Sequence, residues 1–116
     1  MKQAVIVTPK TIEIQETVLP EIGPGEVLVK VKAVGICTFE QRFYKGVQEA
    51  YPFVGGHEIC GVVEKVGASV AQKFEPGDQV VVASLTRCGE CYFCRRGLDH
   101  LCSNADEKTV PGNLWG

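Results

Sequence analysis

The chain has 116 residues, room for one domain, and 45% of them are hydrophobic while 22% are charged. Twelve Lys and Arg against 14 Asp and Glu give a formal net charge of −2, which argues against a basic nucleic-acid-binding surface. No apolar run approaches the roughly 18 residues of a transmembrane helix, and the run at 4–7 is too short for a signal-peptide core. We therefore expect a cytoplasmic protein without nucleic-acid or membrane partners.

Most of the chain is predicted to form short β-strands. Residues 4–7 are rich in β-branched side chains, and apolar and polar residues alternate with a period of two at 11–15 and 27–32. Further strand-like runs lie at 60–66 and 79–83, and glycine- and proline-rich turn signals lie at 23–25, 55–56 and 75–78. Short strands separated in this way favour a barrel or a sandwich.

One short helix is predicted directly after Cys37. Thr38 would cap its N-terminus together with Gln41 three residues later, and Gly46 would end it. Cys60 lies in a strand-like run further along the chain and is expected in the core.

Four of the six cysteines form a cluster with the spacing C-x2-C-x2-C-x7-C. The short steps let one turn present neighbouring sulfurs to one ion, and the longer gap lets the chain return to complete the tetrahedral S4 set of a structural zinc site. The segment 87–103, here called the cysteine lobe, has too few apolar residues for a core, so metal must stabilise it. The predicted ligands are Cys88, Cys91, Cys94 and Cys102.

Three other interpretations of the cysteine lobe fit less well. Disulfides need an oxidising compartment, and the chain shows no export signal. A ferredoxin-type iron–sulfur run closes with a three-residue gap and a proline, whereas here the last gap is seven residues and Ser103 follows Cys102. A nucleic-acid-binding zinc ribbon needs a basic patch, whereas four basic residues between 87 and 108 are matched by four acidic ones.

Two further segments carry candidate chemistry. Cys37 precedes the predicted helix, whose free amides and dipole favour a thiolate that binds metal or acts as a nucleophile; alternatively, Cys37 is a small buried hydrophobic residue. His57 and Glu58 follow Gly55-Gly56, and an imidazole beside a carboxylate suits zinc as a ligand with a supporting group or as two ligands. The alternative is a hydrogen-bonded turn histidine with Glu58 in solvent.

In their order along the chain, these motifs resemble the zinc-dependent medium-chain alcohol dehydrogenases, in the N-terminal GroES-like domain. The residues that carry the resemblance are Gly35-Ile36-Cys37, then Gly56-His57-Glu58 with Gly61, Gly67 and Val70, then Pro76-Gly77-Asp78-Gln79-Val80, then the cysteine lobe. The resemblance covers nearly all of residues 1–116. It implies one mainly β domain, a GroES-like, partly open β-barrel with a short helix and a four-cysteine zinc lobe.

The resemblance also implies roles for individual residues. Cys37 and His57 would bind a catalytic zinc, with Glu58 beside it as a supporting group or an exchanging ligand. In the family this zinc polarises the oxygen of a small alcohol or carbonyl substrate while hydride passes to or from NAD or NADP.

Around the cysteine ligand the chain departs from the family pattern. The family usually has Ser or Thr two residues after that cysteine, then Asp, and often a His shortly after. Here these positions hold Phe39, Glu40 and Arg42. Glu40 can supply the carboxylate that the family's Asp provides, whereas Phe39 cannot relay a proton as the family's Ser or Thr does.

Two parts of the family's machinery are missing from residues 1–116. The sequence has no G-x-G-x-x-G nucleotide motif, and the family's third catalytic zinc ligand lies beyond the position of Gly116. We therefore expect an N-terminal fragment that is inactive alone and would use NAD or NADP only in a full-length protein. Open strand edges would allow homodimer formation. The alternative is a stand-alone zinc-stabilised binding or assembly module without catalysis.

Overall fold

The computed structural model describes residues 1–83 and 87–104, which form six strands, one α-helix and two 3-10 turns. The strands are β1 (Lys2–Thr8), β2 (Thr11–Glu16), β3 (Val27–Gly35), β4 (Phe53–Val54), β5 (Glu58–Val66) and β6 (Gln79–Val82). Helix α1 spans Thr38–Tyr44, and the 3-10 turns at Cys94–Arg96 and Asp99–Leu101 belong to the cysteine lobe. No helix within the described residues is long and apolar enough to span a membrane.

The strands form two antiparallel sheets of three strands each. The first has the order β2-β1-β4, and the second has the order β3-β5-β6. The most buried side chains come from both sheets and from α1, and this core comprises Val5, Ile6, Leu28, Phe43, Ile59 and Val63. The prediction of a mainly β fold with one short helix is confirmed, and no closed barrel is present among the described residues.

The pairing of β3 with β5 positions the candidate site. These two nine-residue strands run antiparallel, and their register places Gly35 opposite Glu58. The last residue of β3 therefore lies beside the first residue of β5. Cys37 follows β3 by two residues and His57 immediately precedes β5, so the pairing brings the thiol and the imidazole to the same end of the sheet.

Two details of the strands differ from expectation. The prediction that Cys60 lies in the core is wrong, because the alternation along β5 buries Ile59, Gly61 and Val63 on one face and leaves the Cys60 side chain exposed on the other. Strand β4, which pairs with β1, was not predicted because two residues are too few to show a period.

Candidate metal centres

Helix α1 begins with a reciprocal pair of hydrogen bonds that involves a candidate ligand. Cys37 is the N-cap residue, and its sulfur accepts a hydrogen bond from the backbone N–H of Phe39 at 3.2 Å. Glu40 reaches back and accepts the Cys37 N–H through Oε2 at 3.1 Å. The predicted cap at Thr38 with Gln41 is wrong by one residue, because the Cys37 sulfur and the Glu40 carboxylate already satisfy these amides. Gly46, with φ of 74°, follows the helix as expected.

The Glu40 carboxylate organises the first candidate centre, which we call the Cys37–His57 pair. Its Oε1 accepts the backbone N–H of Gly56 at 3.2 Å and lies 2.8 Å from His57 Nδ1. The other ring nitrogen, Nε2, lies 3.2 Å from the Cys37 sulfur. Glu40 is only 8% exposed, so these contacts are held inside the fold. A buried carboxylate behind a histidine fixes the ring orientation and leaves the opposite nitrogen directed at a metal.

The two glycines before His57 make this arrangement possible. A Cβ on Gly55 would lie 2.7 Å from Glu40 Cγ and 2.9 Å from Phe53 Cε1, which is closer than side-chain atoms tolerate. Gly56 has φ of 107°, a backbone conformation that other residues adopt only with strain. The glycine pair therefore lets the backbone approach Glu40 and donate to it.

The electrostatics of the pair favour a cation. Burial alone would raise the pKa of Glu40, but hydrogen bonds from Cys37 and Gly56, together with the nearby His57, hold it below its usual value. Burial and the neighbouring Glu40 carboxylate raise the pKa of the Cys37 thiol. Without a cation the thiol therefore keeps its proton, and metal binding would replace that proton. Thiolate and imidazole are ligands that zinc accepts readily.

Glu58 lies outside this centre in the structure. The described side chains whose ligand atoms converge here are those of Cys37, Glu40 and His57. Glu58 is exposed at the start of β5, and its carboxylate lies over Gly35, where a Cβ would collide with it. The role of Glu58 as a ligand stays a prediction. Glu40 is the carboxylate that contacts His57, and its position three residues after an N-cap was the available signal in the sequence.

Aromatic and apolar surfaces flank the imidazole. Phe39 lies edge-on to the His57 ring, with 5.8 Å between the ring centroids. A cavity of about 530 Å³ opens beside the same histidine and is lined by His57, Glu58, Ile59, Cys60, Val81, Val82 and Ala83. The surroundings of the pair are thus mainly apolar.

The cysteine lobe forms the second candidate centre. The sulfurs of Cys88, Cys91, Cys94 and Cys102 all lie within 4.8 Å of one another, as the spacing predicted. Backbone amides of the lobe point at its sulfurs: the Cys88 N–H donates to Cys102 at 3.4 Å, the Cys91 N–H to Cys88 at 3.3 Å, and the Cys94 N–H to Cys91 at 3.4 Å. Such amides stabilise thiolates, and an S4 donor set fits zinc.

The surroundings of Cys91, Cys94 and Cys102 shift the pKa values of their thiols in different directions. Backbone hydrogen bonds from Cys94 and Ser103 lower the pKa of Cys91 to about 6, and the Cys88 amide lowers the pKa of Cys102. Burial and the neighbouring sulfurs raise the pKa of Cys94 to about 12. A divalent cation would lessen this conflict, because its charge offsets two of the four thiolate charges.

Little besides the sulfurs holds the lobe together. No apolar residue of 87–104 is buried. The side-chain contacts of the lobe at the surface include an ion pair between Arg87 and Asp99, and the Arg96 guanidinium lies 3.7 Å from the centre of the Tyr92 ring. Exposed contacts of this kind contribute little stability, which supports metal as the main stabilising element.

Comparison with known proteins places this chain in one family. Residues 23–116 match the family model described as the alcohol dehydrogenase GroES-like domain. Sorbitol dehydrogenase of Bacillus subtilis is 38% identical over 117 residues, which cover 96% of this chain and 33% of that protein.

Solved structures give the same result. Alcohol dehydrogenase TADH from Thermus sp. ATN1 superimposes with a TM-score of 0.79 at 34% identity, over 90% of this chain and 30% of that one. CAD from Helicobacter pylori, complexed with NADP(H), has a TM-score of 0.73 at 28% identity, over 89% of this chain and 30% of that one. The curated relatives are longer proteins, of which the chain spans 25 to 34%.

Proposed function

This chain belongs to the zinc-dependent alcohol dehydrogenase family through its GroES-like domain, and we propose that it supplies the metal-binding half of an oxidoreductase active site. The reaction would transfer hydride between a small alcohol or carbonyl compound and NAD or NADP. The observation that carries the proposal is the Cys37–His57 pair, with the Glu40 carboxylate 2.8 Å from the imidazole nitrogen that faces away from Cys37.

Each residue of this site has a distinct task in the proposal. Cys37 and His57 would hold a zinc ion, which supplies Lewis-acid polarisation of the substrate oxygen when bound. The Glu40 carboxylate lies 2.8 Å from His57 Nδ1, which favours a proton on that nitrogen and leaves the lone pair of Nε2 for the metal. Glu40 also ties the Gly56 amide to the start of α1 and thereby fixes the distance between the two ligands.

The cysteine lobe has a structural role in the proposal. Its four sulfurs would fill all coordination positions of a second zinc, which leaves none for a substrate. This zinc would stabilise the fold of residues 87–104 rather than take part in the reaction.

The cofactor and the location of the protein are also proposed by relationship. CAD from Helicobacter pylori is complexed with NADP(H), and sorbitol dehydrogenase is named for the oxidation of an alcohol. Because residues 1–116 contain no G-x-G-x-x-G motif, we expect this chain alone to bind no NAD(P)H and to catalyse no turnover, with the complete enzyme in the cytoplasm. Binding of NAD(P)H, followed by its fluorescence, tests this expectation.

Metal analysis of the purified chain tests the two-centre proposal. We expect about two zinc ions per chain, one held tightly by the cysteine lobe and one held more weakly, because structural S4 sites are closed and the pair is open. Cys37→Ser should remove about one ion and leave the lobe's zinc in place. Glu58→Ala should weaken the same ion only if Glu58 is a further ligand. A chain without zinc, or one with iron and visible absorption, would contradict the proposal.

A second candidate function is a zinc-stabilised binding or assembly module. The observation that favours it is β2, an edge strand exposed along its whole length, with Ile12 54% and Ile14 67% exposed. An exposed strand edge invites pairing with another chain, which would give a homodimer. Sedimentation at high protein concentration tests this, and a monomer would count against it.

A further inference from the structure

Phe39 occupies a place beside the Cys37–His57 pair that the proposed function leaves without a task. Its backbone N–H donates to the Cys37 sulfur, and its ring lies edge-on to the His57 imidazole at 5.8 Å between centroids. The residue therefore contacts both candidate ligands at once. It is nevertheless 39% exposed, so part of this residue beside the pair is accessible from solvent.

The Phe39 ring is held in position by the core. It packs edge-on against Phe43 at 5.2 Å and against Phe53 at 6.0 Å. Phe43 and Phe53 stack on each other at 3.7 Å, and Phe43 is only 3% exposed. Phe39 is thus the outer member of an anchored aromatic cluster, and such a ring presents a fixed surface rather than a mobile one.

The chemistry of this surface discriminates between classes of alcohol. The Phe39 side chain has no hydrogen-bonding group. The cavity on the β5–β6 side of His57 adds four aliphatic residues, Ile59, Val81, Val82 and Ala83, beside the Glu58 carboxylate and the Cys60 thiol. A hydroxyl placed against the Phe39 ring or these aliphatic side chains loses its water without gaining a partner, which is unfavourable. An alkyl or aryl group placed there gains from leaving water.

We propose that Phe39 is a specificity-determining residue that selects alcohols or carbonyl compounds with an alkyl or aryl substituent over polyols. The inference rests on the proposed function, because it takes the Cys37–His57 pair as the place where the substrate oxygen binds. It goes beyond that function by naming the substrate class, and it separates this chain from relatives such as sorbitol dehydrogenase, which is named for a polyol.

The experiment compares two small alcohols of equal heavy-atom count, benzyl alcohol and erythritol, on the zinc-loaded chain. Dissociation constants are measured by NMR chemical-shift titration of the wild type, Phe39→Thr and Phe39→Leu, and zinc content is measured in each sample. The matched control is Phe74→Thr, since Phe74 is 37% exposed and lies in the segment between β5 and β6.

We expect wild type to prefer benzyl alcohol and Phe39→Thr to reduce that preference about tenfold, the size of effect that small changes in an apolar contact produce. Phe39→Leu should keep most of the preference, and Phe74→Thr should keep all of it. If Phe39→Thr fails to fold, nuclear Overhauser contacts between the benzyl ring and the Phe39 ring decide instead, and their absence overturns the inference.

Two outcomes separate this inference from the proposed function. Zinc bound normally, with equal affinity for both alcohols or an unchanged preference in Phe39→Thr, overturns the role of Phe39 alone. A wild-type chain that binds no zinc overturns the proposed function, and the inference with it.

Discussion

The two candidate centres are built in opposite ways. The four candidate ligands of the cysteine lobe come from 15 consecutive residues, and no apolar residue of the lobe is buried. The Cys37–His57 pair joins residues 20 positions apart, which meet because β3 pairs with β5 and Glu40 of α1 accepts the Gly56 N–H. We therefore expect the lobe to need a metal in order to fold, whereas the strands and the helix themselves position the two residues of the pair.

This difference has consequences for what each centre can do. A locally built S4 site can close around its ion, which suits stability. A site supported by strands, a helix and a buried carboxylate can keep its ligands in place while a coordination position stays open, which suits chemistry. If this contrast holds, substitution of a cysteine in the lobe should unfold the lobe. Substitution of a residue in or beside the pair should weaken metal binding and leave the fold intact.

The largest effect is expected from Cys91→Ser in the lobe. Apparent zinc binding energies in small structural sites are about 10–16 kcal/mol, so the loss of a ligand should unfold a segment that has no other core. Zinc content should fall by about one ion per chain, and amide hydrogen exchange should become fast across the described lobe residues. Cys60→Ser is the matched control, because Cys60 is an exposed cysteine outside both centres. A lobe that stays folded without zinc would contradict the expectation that the lobe depends on metal and the pair does not.

An intermediate effect is expected from changes at Glu40. Glu40→Ala should weaken zinc binding at the pair by about 10- to 100-fold, because the His57 ring loses the group that orients it. Glu40→Gln keeps an oxygen that can accept one hydrogen bond but loses the charge, so its loss should be smaller. Competition with a chromophoric chelator measures both affinities. Equal affinity in Glu40→Ala and wild type would show that the carboxylate does not support the site.

The smallest effect is expected from Gly55→Ala. The added Cβ would press on Glu40 and Phe53, and overpacking of this kind lowers the free energy of unfolding by about 1–3 kcal/mol. Gly25→Ala is the matched control, since no atom lies within 4 Å of its added Cβ, and a change within about 0.5 kcal/mol is expected there. Urea unfolding followed by circular dichroism compares them. An equal response at both positions would show that close approach at Gly55 is not required.

The sequence predicts well what is local in this molecule. The cysteine spacing anticipated the convergence of four sulfurs, and the period-two alternation anticipated β2 and the first part of β3. Both signals depend on neighbours in the chain, so no knowledge of distant contacts is required.

What depends on distant contacts was harder to predict. The resemblance to a known family predicts Cys37 and His57 as ligands. The link between them through Glu40 depends on the approach of Gly56 to α1, which brings together residues far apart in the chain. The sequence favours Thr38 as the cap because Thr is a preferred N-cap residue. Cys60 was expected in the core because the β-branched run around it hides which face of β5 is buried.

The register between β3 and β5 makes the Cys37–His57 pair sensitive to how these two strands align during folding. A slip of one residue between these strands would turn every side chain of one strand to the opposite face and would move the thiol away from the imidazole. Metal binding at the pair would therefore require that the two strands have paired in the correct register. A chain that folds with the wrong register between β3 and β5 would be unable to bind metal at the Cys37–His57 pair, whether or not substrate is present.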